Sequence, residues 1–122
     1  MRKATKTLFE EVPLLEGDNL ILKRIEQEDA TGLEELRSND RVYRLLPTFL
    51  YERQLDDIHK VIKSMYDGPA FTNHESLHFG IYQKKEMGFA GIIELYGYKK
   101  EIRKVSLGYR LLERCWIVSN AL

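Results

Sequence analysis

The feature that most limits the fold of this chain is a change of hydrophobic period near its middle. From Glu52 to Tyr66, the residues Leu55, Ile58, Val61, Ile62, Met65 and Tyr66 recur on one helical face, while Asp56, Asp57, Lys60 and Lys63 lie off it. That spacing predicts an amphipathic helix over 52–66. Asp67-Gly68-Pro69 ends it, because glycine loosens the backbone and proline cannot continue the helical ladder. From Leu77 the period becomes two: Leu77, Phe79 and Ile81 alternate with His78, Gly80 and Tyr82. Two more strand-like runs follow. Phe89 to Tyr96 is long and carries Ile92-Ile93 at its centre, which predicts burial on both faces. Val105 to Leu112 places Val105, Leu107, Tyr109 and Leu111 on one face. Lys84-Lys85-Glu86 and the charged stretch Gly97 to Arg103 read as the connections. Sequential strands with short connections predict an antiparallel meander.

The N-terminal half supplies one strand and shorter helical pieces. Residues 1–16 have weak periodicity and read as an arm; Gly17-Asp18-Asn19 is a turn signal. Leu20 to Ile25 reads as a strand. Glu28 and Asp29 suit the positive end of a helix dipole, and Ala30, Leu33 and Leu36 carry that helix to about Arg37. Ser38-Asn39-Asp40 interrupts it. Val42, Leu45 and Leu46 suggest one more helical turn, stopped by Pro47. The expected fold is therefore α+β over 17–122, a mostly antiparallel sheet with helices packed on it.

Bulk properties exclude several roles. The chain has 122 residues, room for one domain with a buried core. Its 19 Lys and Arg balance its 19 Asp and Glu, so no global field attracts nucleic acid or an anionic membrane. Arg2, Lys3 and Lys6 form a short basic cluster at the start, read as a solvated terminus without a secretory apolar region after it. No apolar run approaches the roughly 20 residues of a membrane span. The single cysteine, Cys115, rules out an internal disulfide and suits a reducing, cytoplasmic setting. A nucleophilic role for Cys115 lacks a base nearby in sequence. His59, His74 and His78 show no metal-ligand spacing, so no metal is expected. Seven tyrosines supply amphipathic rings, most for core rims and one or two for a substrate groove.

In order and spacing, residues 14–116 resemble the ribosomal-protein N-acetyltransferase branch of the GNAT superfamily. The resemblance is carried by Leu20 to Ile25 with Glu28-Asp29-Ala30, by Phe89-Ala90-Gly91-Ile92-Ile93-Glu94-Leu95, and most strongly by Leu107-Gly108-Tyr109-Arg110-Leu111-Leu112-Glu113-Arg114-Cys115-Trp116. It implies an incomplete GNAT fold and acetyl-CoA-dependent transfer of an acetyl group to an amine, a peptide N terminus or a small molecule. In the family, a glycine follows the position of Trp116 and another comes two residues later. These glycines let backbone N–H groups close on the coenzyme pyrophosphate at a helix N terminus. Here Ile117 and Ser119 stand in their place, and the sequence given ends at Leu122. Weak or absent acetyl-CoA binding is therefore expected.

The same resemblance nominates site residues. The backbone of Leu111 and Leu112 matches the groups that hold the pantetheine arm, and Arg114 matches the first position of the phosphate loop. Many relatives carry a carboxylate just before Leu107-Gly108-Tyr109; this chain has Ser106, a poor base. Glu94, the only carboxylate inside an otherwise apolar strand, is the candidate catalytic base. The alternative for Glu94 is a structural ion pair, and the alternative for the chain is a non-catalytic binding or oligomerising module. With no cover expected over Val105 to Leu112, an open sheet edge predicts a homodimer.

Overall fold

The structure is a computed structural model, and it describes residues 10–48, 50–85 and 88–116. Its centre is a five-stranded sheet in which every strand pairs with its sequence neighbour: β1 (Leu15–Glu16), β2 (Leu20–Lys23), β3 (Ser76–Gln83), β4 (Gly88–Lys99) and β5 (Lys104–Leu111), all antiparallel. Between β2 and β3 lie α1 (Ala30–Arg37), α2 (Asp40–Tyr43), α3 (Ile58–Asp67) and α4 (Pro69–Thr72). The α+β reading from the sequence matches this architecture. The end of the expected arm differs: Leu15 and Glu16 pair with Leu22 and Ile21 across the Gly17–Asn19 turn.

Two boundaries move for physical reasons. The 52–66 segment is not one helix. Tyr51–Arg53 is a single 3-10 turn, and α3 starts at Ile58, capped by the Asp57 side chain, which accepts from the His59 N–H. That cap satisfies an N–H left free at a helix start. Leu55 therefore sits outside the helix and is exposed, whereas Val61, Ile62, Met65 and Tyr66 are buried. β4 also runs past the expected loop start to Lys99. Gly97, at φ +64, lies where the β4–β5 register shifts, a bulge that glycine tolerates without strain.

The core joins Leu33 and Leu36 of α1, Tyr43 of α2, the buried face of α3, Ile25 after β2, Ala90 and Ile92 from β4, and Leu112 just after β5. Tyr66 ties the layers with its hydroxyl, which accepts from the Ile25 N–H at 2.9 Å and donates to the His78 carbonyl at 3.0 Å. At Gly91 a Cβ would lie 2.0 Å from the Arg110 carbonyl oxygen, so only glycine permits β4 and β5 to approach as they do. Among the described residues no helix is long and apolar enough to cross a membrane.

Candidate active site

Register places Glu94 of β4 opposite His78 on β3 and Gly108 on β5. Arg110 stands two residues further along β5, on the same sheet face. Over this face come Tyr43, from the end of α2, and Glu52, from the 3-10 turn that precedes α3.

These residues form one polar network under the helices. Arg110 donates from Nε to Glu52 Oε2 at 2.8 Å and from Nη2 to Glu52 Oε1 at 2.5 Å, while its Nη1 donates to Glu94 Oε1 at 2.9 Å. The Tyr43 hydroxyl donates to Glu52 Oε2 at 2.7 Å, and Ser76 donates to Glu94 Oε2 at 2.7 Å. Glu52 is fully buried, and Arg110 is nearly so. Burial alone would raise the Glu52 pKa, but the hydrogen bonds and charge of Arg110 outweigh it and hold the carboxyl below its ordinary value. Burial pulls the other way on Arg110, and its two carboxylates overcome it, keeping the guanidinium charged. The Tyr43 phenol is pushed far above its usual range by burial and by the Glu52 charge, so it serves as a donor.

His78 adjoins this network without joining it. Its Nε2 lies 3.7 Å from Glu94 Oε2, beyond hydrogen-bond reach, and both ring nitrogens are buried without a hydrogen-bond partner. Burial lowers its pKa against the opposing charges of Glu94 and Glu52, so the ring is neutral near pH 7.

One side of the network opens into a cleft of about 810 Å³. Glu94, Ser76 and Arg110 line its floor, and Tyr51, Tyr96, Tyr98 and Tyr109 contribute to its walls. The Glu94 side chain keeps 13% of its surface accessible, the largest share in this Glu52–Arg110–Glu94 triad. A fixed carboxylate at the floor of a partly apolar cleft can hold an ammonium group and take a proton from it.

The other candidates from the sequence lie apart from this cleft or are already engaged. The Leu112 N–H donates to the Ala90 carbonyl at 2.8 Å, and the Leu111 carbonyl accepts from the Trp116 indole N–H at 3.1 Å. Arg114 is exposed and pairs with Glu35 at 3.3 Å. Ser106 is half-buried one register step beyond Glu94, opposite Tyr96. His59 is exposed and exchanges hydrogen bonds with Gln27. Cys115 is buried in the turn after β5. Ile117 and Ser119 lie outside the described residues. The structure brings Glu94, the residue singled out from the sequence, together with Tyr43, Glu52 and Arg110, which sequence reasoning did not single out. The signal available for Arg110 was a charge inside a strand, between Tyr109 and Leu111 and on the phase opposite theirs.

Residues 19–118 match the acetyltransferase (GNAT) domain family. The chain belongs to the GNAT acetyltransferase family. It is 25% identical over 105 residues to the uncharacterized N-acetyltransferase YoaA of Bacillus subtilis, a match that covers 85% of this chain and 57% of YoaA. Its fold is similar to a proposed ribosomal-protein-serine acetyltransferase from Vibrio cholerae, with a TM-score of 0.66 and 16% identity over 88% of this chain and 59% of that one. It is also similar to RimL, a ribosomal L7/L12 α-N-protein acetyltransferase solved with coenzyme A, with a TM-score of 0.60 and 13% identity over 85% of this chain and 58% of that one. The likeness to these two structures is one of fold. The chain thus spans under two-thirds of the length of these relatives.

Proposed function

We propose that this chain carries the acceptor side of an acetyl-CoA-dependent N-acetyltransferase, with Glu94 as the group that takes a proton from the incoming amine. Family membership supports acetyl transfer. The observation that carries the site is Glu94 itself, held at the cleft floor by Ser76 and Arg110. An amine reaches an enzyme largely as its ammonium ion and must lose a proton before it can attack a carbonyl. Glu94 receives that proton directly or through one water, while Arg110 and Ser76 keep the carboxylate aimed at the cleft. Glu52 and Tyr43 do not touch the cleft; they position Arg110.

The acyl donor supplies the acetyl thioester, and on that side the residues offer little. The Leu111 carbonyl, the Leu112 N–H and the Arg114 side chain are engaged by Trp116, Ala90 and Glu35. This observation favours a second reading, a cytoplasmic acceptor-binding module that binds acetyl-CoA weakly and assembles with a second copy. The exposed face of β5, with Leu107 and Tyr109 each about 60% accessible, supports the assembly part of that reading.

Thiol release from acetyl-CoA in the presence of a panel of amines tests the proposal. Glu94→Gln should lower kcat by about 10²–10⁴-fold, the usual worth of a positioned base, with the thermal transition kept. Full turnover by that variant would remove Glu94 from the role. A wild-type chain that binds amines but releases no thiol would favour the second reading.

A further inference from the structure

Two carboxylates share one guanidinium at the floor of the cleft. Glu52 takes Nε and Nη2 of Arg110, and Glu94 takes Nη1. The triad therefore carries one negative charge in excess, and the more accessible of its carboxylates is Glu94. His78 does not offset that charge, because burial keeps its ring neutral. A hydroxyl from Ser76 is the other donor to Glu94. Glu75 adds a second carboxylate to the cleft lining, and exposed His74 stands beside it. Arg110 is the only arginine or lysine among the described lining residues, and all three of its nitrogens are engaged.

This arrangement favours one sign of ligand. An unbalanced carboxylate in a partly desolvated cleft is stabilised by a cation placed against it. Tyr51, Tyr96 and Tyr98 in the lining supply aromatic rings, which attract both a cation and an apolar body. An anion beside the ligand nitrogen would meet Glu94 and Glu75 with no free guanidinium or lysine to receive it.

We infer that the cleft selects primary amines whose ammonium group is joined to an apolar or aromatic body and has no carboxylate or phosphate beside it. The inference rests on the acceptor-side reading above and narrows the acceptor. Arylalkylamines and peptide N termini share this chemistry; free amino acids and amino phosphates lack it.

Four probes of matched shape test the selection on the chain alone, without acetyl-CoA: phenethylamine, phenylalaninamide, phenylalanine and 3-phenylpropionate. Binding is read by calorimetry and by amide chemical shifts of Tyr96, Tyr98 and Gly108. Phenethylamine or phenylalaninamide should bind at least about tenfold more tightly than phenylalanine, whose carboxylate meets like charge, with phenylpropionate weakest because it also lacks the ammonium. Preference for phenethylamine assigns a free amine; preference for phenylalaninamide assigns a peptide N terminus. Glu94→Gln should abolish most of the preference, and Glu75→Gln, at an exposed position, should reduce it in a chain that still folds. Equal or tighter binding of phenylalanine or phenylpropionate overturns the inference, as does failure of all four to bind at millimolar concentration. Because these titrations contain no acyl donor, they separate from the turnover test. Selective binding without thiol release sinks the enzyme reading alone, and turnover that prefers phenylalanine sinks the selectivity alone.

Discussion

Glu52 and Arg110, 58 residues apart in sequence, meet in a bidentate ion pair that is closed to solvent. The pair joins the turn before α3 to the last described strand. Its second consequence is that Arg110 reaches Glu94 with the donor that Glu52 leaves free.

Breaking that pair should be costly. Arg110→Met leaves Glu52 buried and charged with Tyr43 as its remaining side-chain donor, and should destabilise the fold by about 3–5 kcal/mol. Adding Glu52→Leu to that variant should restore part of the loss, because two apolar groups replace two charges. Chemical denaturation of the three variants measures both effects. Equal stability of Arg110→Met and wild type would show that the pair does not hold the fold.

The buried histidine should make the protein sensitive to mild acid. The folded-state pKa of His78 lies below its ordinary value of 6.5, so the unfolded chain binds a proton that the folded chain refuses. Stability is then lost as pH falls below about 6.5 toward the folded value. His78→Leu removes two unpartnered buried nitrogens and should match or exceed wild-type stability at pH 7 while flattening that slope. Thermal melts from pH 7 to pH 5 test both points. Glu52 adds a separate loss at lower pH: its folded pKa is depressed, so its contribution disappears as pH falls below about 4.5.

Gly91→Ala should weaken the β4–β5 contact. The added methyl would sit 2.0 Å from the Arg110 carbonyl and 2.9 Å from the Leu111 Cα, both backbone atoms that cannot turn aside. A cost of about 1–3 kcal/mol or more is expected from such overpacking. Amide exchange along β4 and β5 should rise with it. An unchanged melting temperature would mean that the strands move apart freely.

Ile62→Asp and Leu55→Asp should part company. Ile62 is 3% exposed, so an aspartate there is buried in apolar surroundings and should unfold the domain. Leu55 is 42% exposed and lies before the cap of α3, so its replacement should shift stability by no more than about 0.5 kcal/mol. Circular dichroism melts distinguish the two. Equal effects would restore the longer helix that the sequence pattern suggests.

The outer face of β5 supplies the last test. Leu107 and Tyr109 are well exposed on the last described strand, but Leu112 is fully buried, because it turns inward after β5 to fill the core. If copies pair through this face, light scattering at micromolar concentration should give more than the 14.4 kDa of one chain, and Leu107→Lys should return it to that mass. A wild-type mass of 14.4 kDa would rule out this association.

The period-two runs 77–82, 89–96 and 105–112 and their short connections were enough to read an antiparallel meander, because alternation and connection length are local properties of the chain. The resemblance was legible for the same reason: it is carried by contiguous stretches, and Glu94 stood out as a charge inside one of them. The length of α3 was not legible. Leu55 fits the helical face by spacing, yet the Asp57 cap sets the start, and capping depends on local backbone geometry as well as period. The role of Arg110 was hidden for a deeper reason. Its partner Glu52 read only as the first residue of a helix, and a side chain's charge does not reveal what it will meet across 58 positions. Tertiary structure alone decided that meeting, because only packing the turn before α3 onto the sheet removes water from both charges and leaves each as the other's partner.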